Sequence, residues 1–135
     1  FSSNSTVFEA DLMITDWSGI AYEYAYTTKK PVLFINTPMK VMNPEYDRID
    51  TVPLNILLRD EIGCSLNLDQ LDRLAETVDT LLGEKDSYAV KIGAFVNAYV
   101  YNPGSSARVG ARYIIAQLQE KVRQRKACAG KDAEE

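Results

Sequence analysis

Two short apolar runs, Leu12-Met13-Ile14-Thr15 and Val32-Leu33-Phe34-Ile35, constrain the fold more than any other feature of this chain. Each is too short for a helix, and each is bounded by turn-forming or breaking residues: Asp11 and Asp16 around the first, Pro31 ahead of the second. Between them Ile20, Tyr24 and Thr27 recur at i, i+4 and i+7, with Ala21 beside them, which is a helical period. Lys29 and Lys30 suit the C-terminal end of that helix, where the dipole favours cations, and Pro31 stops it. Strand, helix and strand with connections this short form a βαβ unit, whose strands lie parallel in one sheet. Strands that are apolar throughout belong in a sheet covered on both faces. The expected fold is α/β, a Rossmann-like parallel sheet flanked by helices.

The remaining segments are read the same way. Residues 5–10 resemble the last turns of a helix, with Ser5 at its N-cap. Residues 36–53 carry Pro38, Asn43-Pro44 and Pro53, with Met39, Val41, Met42 and Tyr46 between them, which favours a packed functional loop. Residues 55–58 and 63–66 are expected as short strands, with Arg59-Asp60-Glu61 between them. Leu71, Leu74, Val78, Leu81 and Leu82 mark an amphipathic helix over 69–82, capped by Asn67 or Asp69 and ended by Gly83. A second helix is expected over 88–101, with Val90, Ile92, Phe95, Val96 and Tyr99 apolar. After a turn at 102–106, a third helix over 106–125 places Val109, Tyr113, Ile114, Leu118 and Val122 on its inner face. Residues 1–126 are expected as one domain and 127–135 as a flexible tail. The chain opens on Phe1 and runs at once into helix-like residues, so a longer polypeptide is expected around it.

Composition then removes whole classes of chemistry. A chain of 135 residues is one domain's worth. A net charge of -4 argues against a nucleic-acid footprint. The chain contains no histidine, so a histidine-ligated metal, a Ser-His-Asp triad and histidine base catalysis within it are excluded. Cys64 and Cys128 are too few for a disulfide framework and form no CxxC pair. No metal and no cofactor are expected. The apolar runs fall well short of the roughly 20 residues a membrane span needs, and the expected location is cytoplasmic.

The segment with chemistry is Thr15-Asp16-Trp17-Ser18-Gly19, at the C-terminal end of one strand and the start of the next helix. Open α/β sheets bind ligands there. The first amides of a helix lack intrahelical partners and the dipole is positive, so the turn suits a phosphate. Ser18 adds a hydroxyl, and Gly19 removes a Cβ from the anion's approach. Glu23, a turn further on, can accept from sugar hydroxyls. A bland reading fits the same residues: Asp-x-Ser-Gly also caps helices, Glu23 also suits solvent, and Trp17 suits either a lid or the core. At the other end Ser105 and Ser106 open a helix and Arg108 adds charge, which suits a second anion corner or a plain cap. Lys40, Asn43, Glu45 and Tyr46 either complete a pocket or sit on a packed surface loop. A non-catalytic Rossmann- or flavodoxin-like binding or regulatory module, in which Ser18 and Gly19 act only as a helix cap, is the alternative to an enzyme.

The stretch ADLMITDWSGIAYEYAYTTKKPVLFINTP resembles the aDxxITDYSSxxxDxxxxxxP signature of the CDP-glycerol glycerophosphotransferase (teichoic acid polymerase and primase-like) family, and looser similarity continues to NPGSSARVGARYI. The resemblance implies the C-terminal half of a GT-B fold, which holds a nucleotide-diphosphate donor as substrate. It implies that Thr15, Asp16, Ser18 and Gly19 face the diphosphate, that Glu23 occupies the family's acidic position, and that Ser105, Ser106 and Arg108 match its closing Gly-to-Arg stretch. The transferred unit would be glycerol phosphate or a sugar, in cell-envelope polymer synthesis. Gly19 replaces the motif's second serine, the Glu23-to-Pro31 spacing is one residue longer, and the family's catalytic histidines have no counterpart. A general base would therefore come from an N-terminal domain of the same polypeptide, and this chain alone would be inactive. The resemblance also implies peripheral association of the whole protein with the inner membrane face. A face left bare by the missing half would favour a homodimer of the fragment.

Overall fold

The computed structural model describes residues 5–39 and 43–131. A short helix α1 (Ser5–Glu9) leads into strand β1 (Met13–Thr15), helix α2 (Ile20–Thr28) and strand β2 (Val32–Asn36). A 3-10 turn (Tyr46–Arg48) and two single-turn helices, α3 (Leu54–Leu57) and α4 (Arg59–Ile62), precede strand β3 (Gly63–Asn67). A second 3-10 segment (Leu68–Arg73), α5 (Leu74–Gly83) and α6 (Lys85–Tyr99) follow, and then α7 (Ser106–Lys131). The three strands form one parallel sheet in the order β1-β2-β3, a Rossmann-like α/β arrangement.

β2 is central, and its side chains divide between two faces with the period of a strand. Leu33 and Ile35 face a cluster with Leu66 of β3, Leu81, Leu74 and Val78 of α5, and Tyr88 of α6. Phe34, one register step away, meets Tyr22 of α2, ring centre to ring centre at 6.3 Å. Ala21, Tyr24 and Ala25 are the buried residues of α2. The buried face is thus Ala21-Tyr24-Ala25, rotated from the expected Ile20-Tyr24-Thr27 row, because the small alanines let the helix lie close to the sheet. α2 ends at Lys29, which takes a left-handed conformation (φ 60) and donates its amide to the Ala25 carbonyl. Lys30 does more than end a helix. Its ammonium reaches the Ala10 carbonyl at 2.7 Å and Asp11 at 3.4 Å, tying the segment before β1 to the segment before β2.

Several expectations are corrected. Residues 55–58 are not a strand: after Pro53, whose carbonyl accepts from the Ile56 and Leu57 amides, the chain turns helical as α3. Residues 59–61 are helical too, in α4. The expected single helix over 69–82 is a 3-10 segment followed by α5, since the Asn67–Gln70 capping box winds its first turn tightly. β1 is not fully buried. Among the described residues it pairs with β2 alone, and Ile14 is half exposed.

The chain divides into two compact units, Phe1–Ala98 and Tyr99–Glu135. In the second, α7 carries Val109, Tyr113, Ile114, Leu118 and Val122 exposed rather than on an inner face. Residues 127–135, expected as a tail, belong to this helix as far as Lys131, and 132–135 lie outside the described residues. Among the described residues, no helix is long and apolar enough to cross a membrane.

Gly63 of β3 is paired with Val32 of β2. A Cβ built there would lie 1.7 Å from the Val32 carbonyl oxygen, a backbone atom that cannot turn away. Gly63→Ala is therefore expected to pry β3 from β2 and to cost at least the upper part of the roughly 1–3 kcal/mol typical of overpacking. Thermal unfolding followed by circular dichroism measures this loss.

Candidate functional site

Because the strands are parallel, their C-terminal ends meet on one edge. Thr15 pairs with Phe34, and Asn36 with Asn67. The Asp16–Gly19 turn and the segment after β2 therefore leave the sheet side by side. Asp16 holds the turn: its carboxylate Oδ1 accepts from the Ser18 amide at 3.1 Å. The N-cap of α2 is Gly19, and no side chain caps the helix. The Ser18 hydroxyl is exposed and has no capping role, so the capping account of Ser18 does not describe this turn. The amides of Gly19 and Ile20 find no acceptor among the described residues, whereas those of Ala21 and Tyr22 bond back to Ser18 and Gly19 at 3.3 and 3.1 Å. The turn thus offers two unpaired amides and one hydroxyl at the positive end of a helix dipole.

Gly19 is not required by the protein's own packing. Its φ is -63, and a Cβ there would meet nothing within 4 Å. Glu23 stands exposed in the first turns of α2 and Thr15 is half-buried at the strand end. Ser105, Ser106 and Arg108 belong to the second unit. There the Ser105 amide donates to the Asn102 carbonyl at 3.0 Å, across a turn in which Asn102 and Gly104 have φ 54 and 73. Ser106 opens α7, and Arg108 is exposed on its first turn.

A cavity of about 540 Å³ opens beside the first turn, within the first unit. Trp17 forms one wall, and its indole N–H donates to the Thr37 carbonyl at 2.7 Å. Met39, Tyr46, Ile49, Val52 and Ile56 supply a mostly apolar lining, with Asn43, Asp47 and Asn55 as polar members. Of the loop residues singled out in sequence, Asn43 and Tyr46 line this cavity. Glu45 instead pairs with Arg48 at 2.7 Å on the surface, and Lys40 lies outside the described residues. The Tyr22 hydroxyl donates to the Asn55 carbonyl, so α2 also braces the far wall. Burial raises the Tyr22 phenol above its ordinary pKa, with Arg59 acting against the shift, so the phenol stays protonated and remains a donor at neutral pH.

Arg59 is the residue that sequence reasoning passed over. It is buried, at 5% exposure. Its guanidinium carbon sits 3.8 Å from the centre of the Trp17 ring and 4.4 Å from that of Phe34. Nη2 donates to Asn36 Oδ1 at 2.7 Å, and Asn36 Nδ2 donates on to Asn67 Oδ1 at 2.8 Å. One polar line, Arg59-Asn36-Asn67, therefore ties all three strand ends together through Trp17. Burial draws the guanidinium below its ordinary pKa, with Tyr22, Asp60 and Asp16 opposing that shift in decreasing order. No metal-ligating group of three or more Cys, Asp or Glu occurs among the described residues.

Asn36→Ala would deprive the buried guanidinium of its Nη2 partner. A lost bond to a charged group costs about 1.5–3 kcal/mol, and a fall in denaturant midpoint with unchanged slope is the expected reading.

A family model described as CDP-Glycerol:Poly(glycerophosphate) glycerophosphotransferase matches residues 2–115 of the chain. No curated protein and no solved structure matches it.

Proposed function

Because the chain belongs to the CDP-glycerol:poly(glycerophosphate) glycerophosphotransferase family, we propose that its sheet edge holds the nucleotide-diphosphate donor of such a transfer. The observation that carries this reading is the Asp16–Gly19 turn, with its unpaired Gly19 and Ile20 amides and its uncommitted Ser18 hydroxyl. A diphosphate set there gains hydrogen bonds and the favourable end of the α2 dipole. The Gly19 position leaves open space where a side chain would crowd the anion. Glu23, exposed a turn along α2, accepts from hydroxyls of the donor.

The reaction is a direct displacement. An acceptor oxygen attacks the activated glycerol-phosphate (or sugar) unit, the bond to the nucleotide breaks, and negative charge moves onto the departing nucleotide phosphate. The turn amides and Ser18 stabilise that charge as it develops. The chain has no histidine, so the base that takes the acceptor's proton comes from the other half of a GT-B pair in the same polypeptide. Alone, the chain binds donor and does not turn over. The product is a cell-envelope polymer.

Calorimetry with CDP-glycerol, CDP and a UDP-sugar tests this. Saturable binding in the micromolar-to-millimolar range is expected. Ser18→Ala is expected to weaken it by about 1–3 kcal/mol with an unchanged melting temperature, since the hydroxyl caps nothing. A folded chain that takes up none of these ligands would overturn the reading.

A further inference from the structure

We propose that Arg59 is the cation that recognises a phosphate-bearing ligand at this sheet edge, with Trp17 as its movable cover. The inference rests on the donor-binding reading above and adds a residue that the motif does not contain.

The argument begins with an unbalanced charge. Arg59 is 95% buried by its 5% exposure, yet no carboxylate of the described residues lies within ion-pair distance of it. Buried charges are ordinarily paired. One terminal guanidinium nitrogen, Nη2, donates to Asn36. The second terminal nitrogen, Nη1, is buried with no hydrogen-bond partner, the one such side-chain atom among the described residues. Stacking between Trp17 and Phe34 offsets part of the desolvation, but a ring face gives a forked N–H donor no directional acceptor. Two neighbouring aspartates, Asp16 and Asp60, act on the group only through space.

The location gives the orphaned donor a purpose. The indole that covers Arg59 belongs to the residue between Asp16 and Ser18, the turn whose Gly19 and Ile20 amides are also unpaired. Unmatched donors of both kinds, the amides of the turn and the guanidinium stacked on that turn's indole, are therefore linked through Trp17. All of them suit the same acceptor, a phosphate oxygen, and a guanidinium takes phosphate in a two-pronged geometry. Trp17 is half-buried and its side chain makes one hydrogen bond, to Thr37 O. Turning the indole toward the adjoining cavity, which it already lines, exposes the face of the guanidinium on which it stacks.

Trp17 is the sole tryptophan of the chain, so its emission reports the cover directly. The 135-residue chain is titrated with inorganic pyrophosphate and with CDP-glycerol, following emission and heat. Wild type is expected to show a saturable emission change with both. Arg59→Gln, checked for fold by circular dichroism, is expected to lose roughly tenfold or more in affinity. It is also expected to lose most of the emission change. If Arg59→Gln fails to fold, wild-type protein answers alone: the Arg59 guanidinium resonances in NMR must shift with saturation as pyrophosphate is added, and resonances that stay fixed overturn the assignment. A folded Arg59→Gln that binds as tightly as wild type overturns it as well, and leaves the donor-binding reading standing. Wild type that binds neither ligand removes that reading and this one together.

Discussion

The two-sided backbone pairing of β2 is the constraint on which the rest of the first unit depends. It bonds in parallel to β1 on one side and β3 on the other. Parallel pairing forces the chain to leave every strand at the same edge, so the Asp16–Gly19 turn, the loop after Asn36 and the cap at Asn67 have no choice but to be neighbours. It also forces long returns, one through α2 and one through α3 and α4, and Tyr22 of α2 and Arg59 of α4 lie against Phe34. Gly63 shows how tight the pairing is, since the strand approaches the Val32 carbonyl too closely for any side chain.

A second feature sits on top of that frame. A cation is placed inside the protein, between two rings and an amide, without an anion of its own. Nothing in the hydrophobic packing asks for it. A methionine or leucine would fill the space between Trp17 and Phe34 at less desolvation cost. The arginine does what those residues would not: it joins the first strand's turn to the ends of the second and third strands and brings positive charge to the edge. Polar donors thus sit on an apolar sheet, beside a cavity whose lining is mostly apolar.

Legibility in sequence followed the range of the interactions. The βαβ unit was readable because its evidence is local: apolar run, helical period, Pro31, apolar run. The Asp16–Gly19 turn was readable for the same reason, and it lies within the residues that the family model matches. α3 was misread as a strand because four residues such as Leu54-Asn55-Ile56-Leu57 carry no period that separates the two states. The inner face assigned to α7 was misread because an apolar stripe shows that a helix has a face, not that anything covers it. Arg59 was invisible because arginine in a short Arg-Asp-Glu segment is ordinarily a surface residue.

From its sequence alone, the chain determined its fold class, the order of β1, α2 and β2, and the chemistry it lacks through having no histidine. Those follow from periods and residue types, which need no knowledge of neighbours. Only the tertiary structure decided that Gly19 rather than Ser18 caps α2, that Trp17 walls a cavity, and that Arg59 lies under its ring. The first is set by local bonds within the turn; the other two depend on contacts between residues 20 or more positions apart, and such contacts exist only once the sheet has set the strand ends side by side.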